Sequence, residues 1–97
     1  MAGQIVVTHH RWKPSERPNY CGKLEVVSVH NGKESLYLLD ITGGTPQRPY
    51  RVQSAMCIPF GTRAMPRNVT GRLPIAVGLY VVDFLKTLNE PAMQAHI

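Results

Sequence analysis

The sequence predicts a single mostly-β domain: a small five-stranded barrel, Greek-key or OB-like in its connections, with a short C-terminal helix. Three observations carry that expectation. Ninety-seven residues are enough for one hydrophobic core and too few for two. Eight glycines and eight prolines divide the chain into short elements joined by many turns. Two strand-like runs, "KLEVVSVH" and "KESLYLLDI", flank Asn31-Gly32, the pair that a two-residue hairpin turn prefers because both positions need positive φ.

The elements follow in order. Residues 4–8, "QIVVT", are β-branched and read as a first strand. Pro14 and Pro18 bracket a polar loop, since neither fits inside a central strand. The Asn-Gly turn then fixes the hairpin register: His30 with Lys33, Val29 with Glu34, Ser28 with Ser35, Val27 with Leu36, Val26 with Tyr37, Glu25 with Leu38 and Leu24 with Leu39. Leu24, Val26, Tyr37 and Leu39 share one face, and Val27, Val29, Leu36 and Leu38 share the other. Neither face is purely wet or dry. A bent hairpin that leaves one core face for another has this pattern, and small barrels contain such hairpins.

"TGGTPQRP" (42–49) is turn chemistry. "YRVQSAMCI" sets Tyr50, Val52, Ser54, Met56 and Ile58 against Arg51, Gln53, Ala55 and Cys57, the alternation of a half-buried strand with one polar face. A long loop runs from Pro59 to Arg72. "IAVGLYVVDF" is rich in β-branched and aromatic residues and reads as a strand over 78–84. A short helix capped by Asp83 and ended by Pro91 follows, the alternative being one helix from Pro74. No internal repeat or low-complexity tract occurs.

The formal charge is +5. Its distribution is more telling. No acidic residue lies between Asp40 and Asp83, whereas Arg48, Arg51, Arg63, Arg67 and Arg72 all do. Arginine rather than lysine throughout suits planar, bidentate contacts to phosphate or stacking on bases. The loop after the first strand adds Arg11, Trp12, Lys13, Arg17 and Tyr20. Single-stranded nucleic acid is held by such a combination, cations tracking phosphates and aromatic rings stacking on bases. The candidate platforms are Trp12, Tyr20, Tyr37 and Tyr50. The candidate phosphate contacts are Arg11, Lys13, Arg17, Lys23, Arg48, Arg51, Arg63 and Arg67.

Other chemistries find less support. Cys21 and Cys57 carry no nucleophile signature and read as small apolar core residues. His9, His10, His30 and His96 lack metal-ligand spacing, so no metal is expected. "ITGGT" lacks the spacing and lysine of a phosphate loop. An enzyme is therefore not expected, nor any cofactor. "MAGQIVVTHH" has no cationic head, and no apolar run approaches the roughly 20 residues that cross a bilayer. The expectation is a cytoplasmic protein with reduced thiols and no membrane partner.

"ESLYLLDITGGTPQRPYRVQ" followed by "LPIAVGLYVVDFL" resembles the single-stranded-DNA-binding proteins of filamentous bacteriophages. The likeness lies in a strand ending in Asp40-Ile41, an arginine-bearing strand after it, and a late strand opened by Gly78-Leu79-Tyr80. It implies a partly open OB-type barrel that dimerises and coats single strands cooperatively. The chain departs from that family in its tight Asn-Gly turn and its arginine loop. Sequence-tolerant binding of single-stranded DNA or RNA by a homodimer is thus the leading expectation. A small inhibitor or adaptor docking on an acidic protein partner is the alternative, because Trp, Tyr and Arg also dominate protein hot spots.

Overall fold

The structure, a computed structural model, describes residues 5–14, 20–59 and 65–94, without the side chains of His9, Tyr20, Cys21 and residues 91–94. Five strands, β1 (Ile5–Pro14), β2 (Tyr20–His30), β3 (Lys33–Thr42), β4 (Arg51–Pro59) and β5 (Arg67–Asn68), precede one helix, α1 (Ile75–Gln94). The strands form an antiparallel sheet in the order β1-β2-β3-β4-β5. Among the described residues no pairing joins the two edges, so the sheet is open and the closed barrel is corrected. The mostly-β class with a C-terminal helix stands. The helix covers one face instead of the sheet curling onto itself.

The hairpin takes the register expected of it, all seven pairs from Leu24↔Leu39 to His30↔Lys33. Asn31 at φ 53° and Gly32 at φ 74° supply the two left-handed positions. Three irregularities reset the faces: between Val7 and His9 in β1, Tyr20 and Gly22 in β2, and opposite Asp40/Ile41 in β4. The last inserts Gln53. Ala55 and Cys57 then join Val52 on the core side, and Met56 and Ile58 turn away. The simple alternation from Tyr50 to Ile58 is corrected accordingly.

The 78–84 strand is also corrected. One helix runs from Ile75 through Pro91 to Gln94, neither short nor stopped by the proline. Its first backbone bond joins the Gly78 N–H to the Pro74 carbonyl at 2.8 Å. Proline is pre-organised for a helix start. The β-branched run is helical because Val77, Tyr80, Val81, Phe84 and Leu85 recur at helical spacing and pack on the sheet. Tertiary packing outweighs the weak local preference for strand. The helix is not long and apolar enough to cross a membrane.

The core lies between α1 and the inner sheet face. Leu24, Val26, Leu39, Ile41 and Val77 are fully buried, beside Ala55, Cys57 and Val81. Each fully buried aliphatic side chain stabilises the fold by about 1.5–3 kcal/mol. Tyr37 belongs to this core, 7% exposed. Burial first, then the Cys57 thiol, pushes its phenol up to about 12, with Ser28 hydrogen-bonded beside it. An unfolded tyrosine ionises near pH 10. Between pH 10 and 12 the unfolded state therefore holds fewer protons than the native one, and stability falls as pH rises through that window. Tyr37→Phe is expected to flatten that decline in urea unfolding measured from pH 9 to 12. An unchanged slope would place its cause elsewhere.

Candidate functional site

Register assigns each side chain to a face. His10 and Trp12 stand opposite Val26 and Leu24 and point to the helix side. Arg11 and Lys13 stand opposite Glu25 and Lys23 on the other side. That outer face carries rows of half-buried apolar residues: Val27 and Val29 from β2, Leu36 and Leu38 from β3, and Met56 and Ile58 from β4. No described element packs on it. The second, apolar half of the hairpin thus faces outward rather than into another core.

At one end of this face the strands bring cations together. Lys13 is the penultimate residue of β1, Lys23 lies opposite it near the start of β2, and Arg11 is the next residue inward on the same face. Arg51 opens β4 opposite Thr42, and Arg48 sits on the connecting loop. The acidic neighbours are Glu25 and Asp40. Asp40 accepts a hydrogen bond from the Ser54 hydroxyl at 3.0 Å and lies 3.9 Å from the Lys23 ammonium. Such a long, exposed ion pair does little to neutralise the lysine.

The 43–50 loop is built rather than slack. Gly43 and Gly44 have φ of 109° and 102°, where any other residue would be strained. A side chain on Gly44 would strike the Tyr50 ring. The Arg48 N–H donates to the Thr45 hydroxyl at 3.0 Å, and its carbonyl accepts from Gly44 and Thr45. From the helix, Asn89 clamps the loop's far end. Its Oδ1 accepts the Tyr50 N–H at 2.6 Å, and its Nδ2 donates to the Tyr50 carbonyl at 3.1 Å. Thr42, Gly43, Thr45, Gln47, Arg48 and Arg51 line a polar cleft of about 310 Å³. Two guanidiniums, two hydroxyls and an amide suit a phosphate group.

Asn89→Ala removes both bonds, leaves the half-buried Tyr50 backbone unpaired and frees the loop. A loss of about 1–3 kcal/mol is expected, read as a lower melting temperature with faster amide exchange at Tyr50. Unchanged exchange there would show that Asn89 does not hold the loop.

The aromatic candidates behave differently from the cations. The Trp12 ring meets Phe84 edge-on at 5.6 Å and Tyr50 at 6.4 Å, on the side of the sheet opposite Arg11 and Lys13. Tyr37 is in the core. The structure therefore separates these two rings from those cations, with Trp12 partly buried on the helix side and Tyr37 in the core. Tyr50 is half-buried at the loop's root. Tyr20 is placed by its backbone opposite Thr42, at the basic end. Arg67, opposite Cys57 on the edge strand, lies six residues along β4 from Arg51, about 20 Å at strand rise. Arg17 and Arg63 lie outside the described residues. Arg11, Lys13 and Lys23 thus group on β1 and β2, Arg48 and Arg51 group at the β3–β4 connection on the same end of the sheet, and Arg67 lies on the far edge.

Sequence reasoning missed Asn89, for which no local signal exists, and the outward apolar rows, whose strands read as core. Among the described residues no three His, Cys, Asp or Glu side chains cluster to hold a metal. Cys57 is a buried free thiol. No family model, no curated protein and no solved structure matches this chain.

Proposed function

We propose that this protein binds single-stranded nucleic acid with little regard to sequence, laying the strand's phosphates across the basic end of the open sheet face. The observation that carries this is the placement of two cation groups, Arg11, Lys13 and Lys23 on β1 and β2 and Arg48 and Arg51 at the β3–β4 connection, along one end of the open face. Phosphate contacts dominate such affinity and carry no sequence information. On the same face, Leu38 and Met56 offer a half-buried apolar surface. A single strand can turn its base planes onto it, whereas a duplex hides them. The likeness to filamentous-phage proteins favours the same ligand, but the reading rests on the cations, because the Gly78-Leu79-Tyr80 segment is helical here.

The test is fluorescence anisotropy with a labelled oligonucleotide, single- and double-stranded, across a range of salt. Five phosphate contacts on a single strand predict a log–log salt slope of about −3.5. A preference for the single strand is expected. Salt-independent binding would sink the proposal. Equal affinity for polyglutamate would replace it with docking on an acidic protein.

A further inference from the structure

Three large apolar side chains on α1 are left in solvent: Ile75 is 82% exposed, Leu79 62% and Val82 50%. They fall at i, i+4 and i+7, one line along the helix, on the side away from core-facing Val77, Val81 and Phe84. Gly78 sits beside this line. A glycine inside a helix costs about 1 kcal/mol relative to alanine, and nothing among the described residues demands it. Its φ is not positive, and an added Cβ would meet no atom within 4 Å. Among the described residues the space above Gly78 is open.

We propose that α1 pairs with α1 of a second copy, antiparallel about a two-fold axis passing between Gly78 and Leu79. A two-fold interface must be complementary to itself. Reversing the helix about that point maps 75, 78, 79 and 82 onto 82, 79, 78 and 75. Ile75 then meets Val82 of the other copy, and each Leu79 enters the space above the other's Gly78. Charge is mixed in this register. Lys86 continues the line at i+11 and comes beside the opposite copy's Arg72, with Asp83 flanking the pair from the edge of the line, while antiparallel helix dipoles attract.

Two helices touching over about three turns bury on the order of 400 Å² per copy, half of what stable dimers bury. The groove of about 400 Å³ lined by His10, Tyr80, Asp83, Phe84 and Thr87 flanks the line towards β1 and widens the contact. The dimer is accordingly dissociable, with a dissociation constant of roughly 1–100 µM. Pairing through α1 leaves both open sheet faces pointing outward. It holds whether or not those faces bind nucleic acid.

Sedimentation velocity of the full chain from 2 to 500 µM, without nucleic acid, tests it. The 10.8 kDa chain is expected to double in mass across that range. Leu79→Glu is expected to stay monomeric throughout. Gly78→Leu is the sharper variant, because it improves the isolated helix. It should melt no lower than the parent when both are monomeric, yet fail to associate. A parent that stays monomeric at 500 µM overturns the proposal. So does a Gly78→Leu variant that still dimerises, or association abolished by Leu36→Glu on the outer sheet face but not by Leu79→Glu.

Discussion

Replacing Arg48 and Arg51 together by alanine is expected to weaken single-strand binding by roughly 10- to 100-fold at low ionic strength, and to flatten the log–log salt slope by about 1.4. Both line the polar cleft with Thr42, Thr45 and Gln47, and neither has an ion-pair partner among the described residues. Removing them therefore takes away phosphate contacts without leaving a buried charge unpaired, and the fold should melt unchanged. Arg67→Ala is the control. It removes one positive charge, half of what the double variant removes, and from the far edge beside Cys57, so it should cost less than threefold, the effect of net charge at a distance. Equal losses per charge removed would mean that the protein binds through its total charge and that the cations at the basic end have no special role.

How much of this was legible in the sequence depends on the range of the interaction involved. The β2–β3 hairpin was readable to the residue, because the Asn-Gly turn is a local steric demand and register propagates from it. Its faces were readable too, but not what would cover them. Val27, Leu36 and Leu38 pattern like core residues, and only the placement of α1 on the opposite side makes them an outer surface. The helix itself was misread because Val, Ile and Tyr favour strands locally. The deciding fact, that Val77, Val81 and Phe84 share a face that meets β1 and β2, is a property of the assembled fold.

The same distinction separates cations from rings in the candidate site. Arg11 and Trp12 are adjacent in sequence and looked like one cluster. In a strand adjacent side chains point to opposite faces, and the apolar ring takes the face that α1 dries. The cations had no such alternative, since a guanidinium is rarely buried unpaired. Charge sorts to the open face and aromatic surface to the covered one. The chain thus keeps its basic loop and strand ends together while withdrawing Trp12 and Tyr37. Asn89 illustrates the remaining gap. Its partner is the Tyr50 backbone, 39 residues away, and no pattern of side chains announces a bond to main chain at that separation.

The assignment of faces, on which both proposals stand, is open to a direct check in neighbouring residues. Leu39→Ala is expected to destabilise the fold by about 2–5 kcal/mol, because Leu39 is 1% exposed between Leu24 and Ala55 and its loss leaves a cavity that a sheet cannot collapse to fill. For a domain of this size that lowers the melting temperature by roughly 10–30 °C. Leu38→Ala, one residue away on β3, removes the same atoms from the outer face, where Leu38 is half-buried beside Met56 and solvent reaches one side of it. A loss of about 1–2 kcal/mol is expected there, together with weaker single-strand binding, since Leu38 stands between Glu25 and Met56 in the row that Arg11 opens. Urea unfolding of both variants with an oligonucleotide titration of each separates the two roles. Comparable destabilisation by both would mean that the outer face is covered in the folded protein, and the open surface proposed for the nucleic acid would not exist.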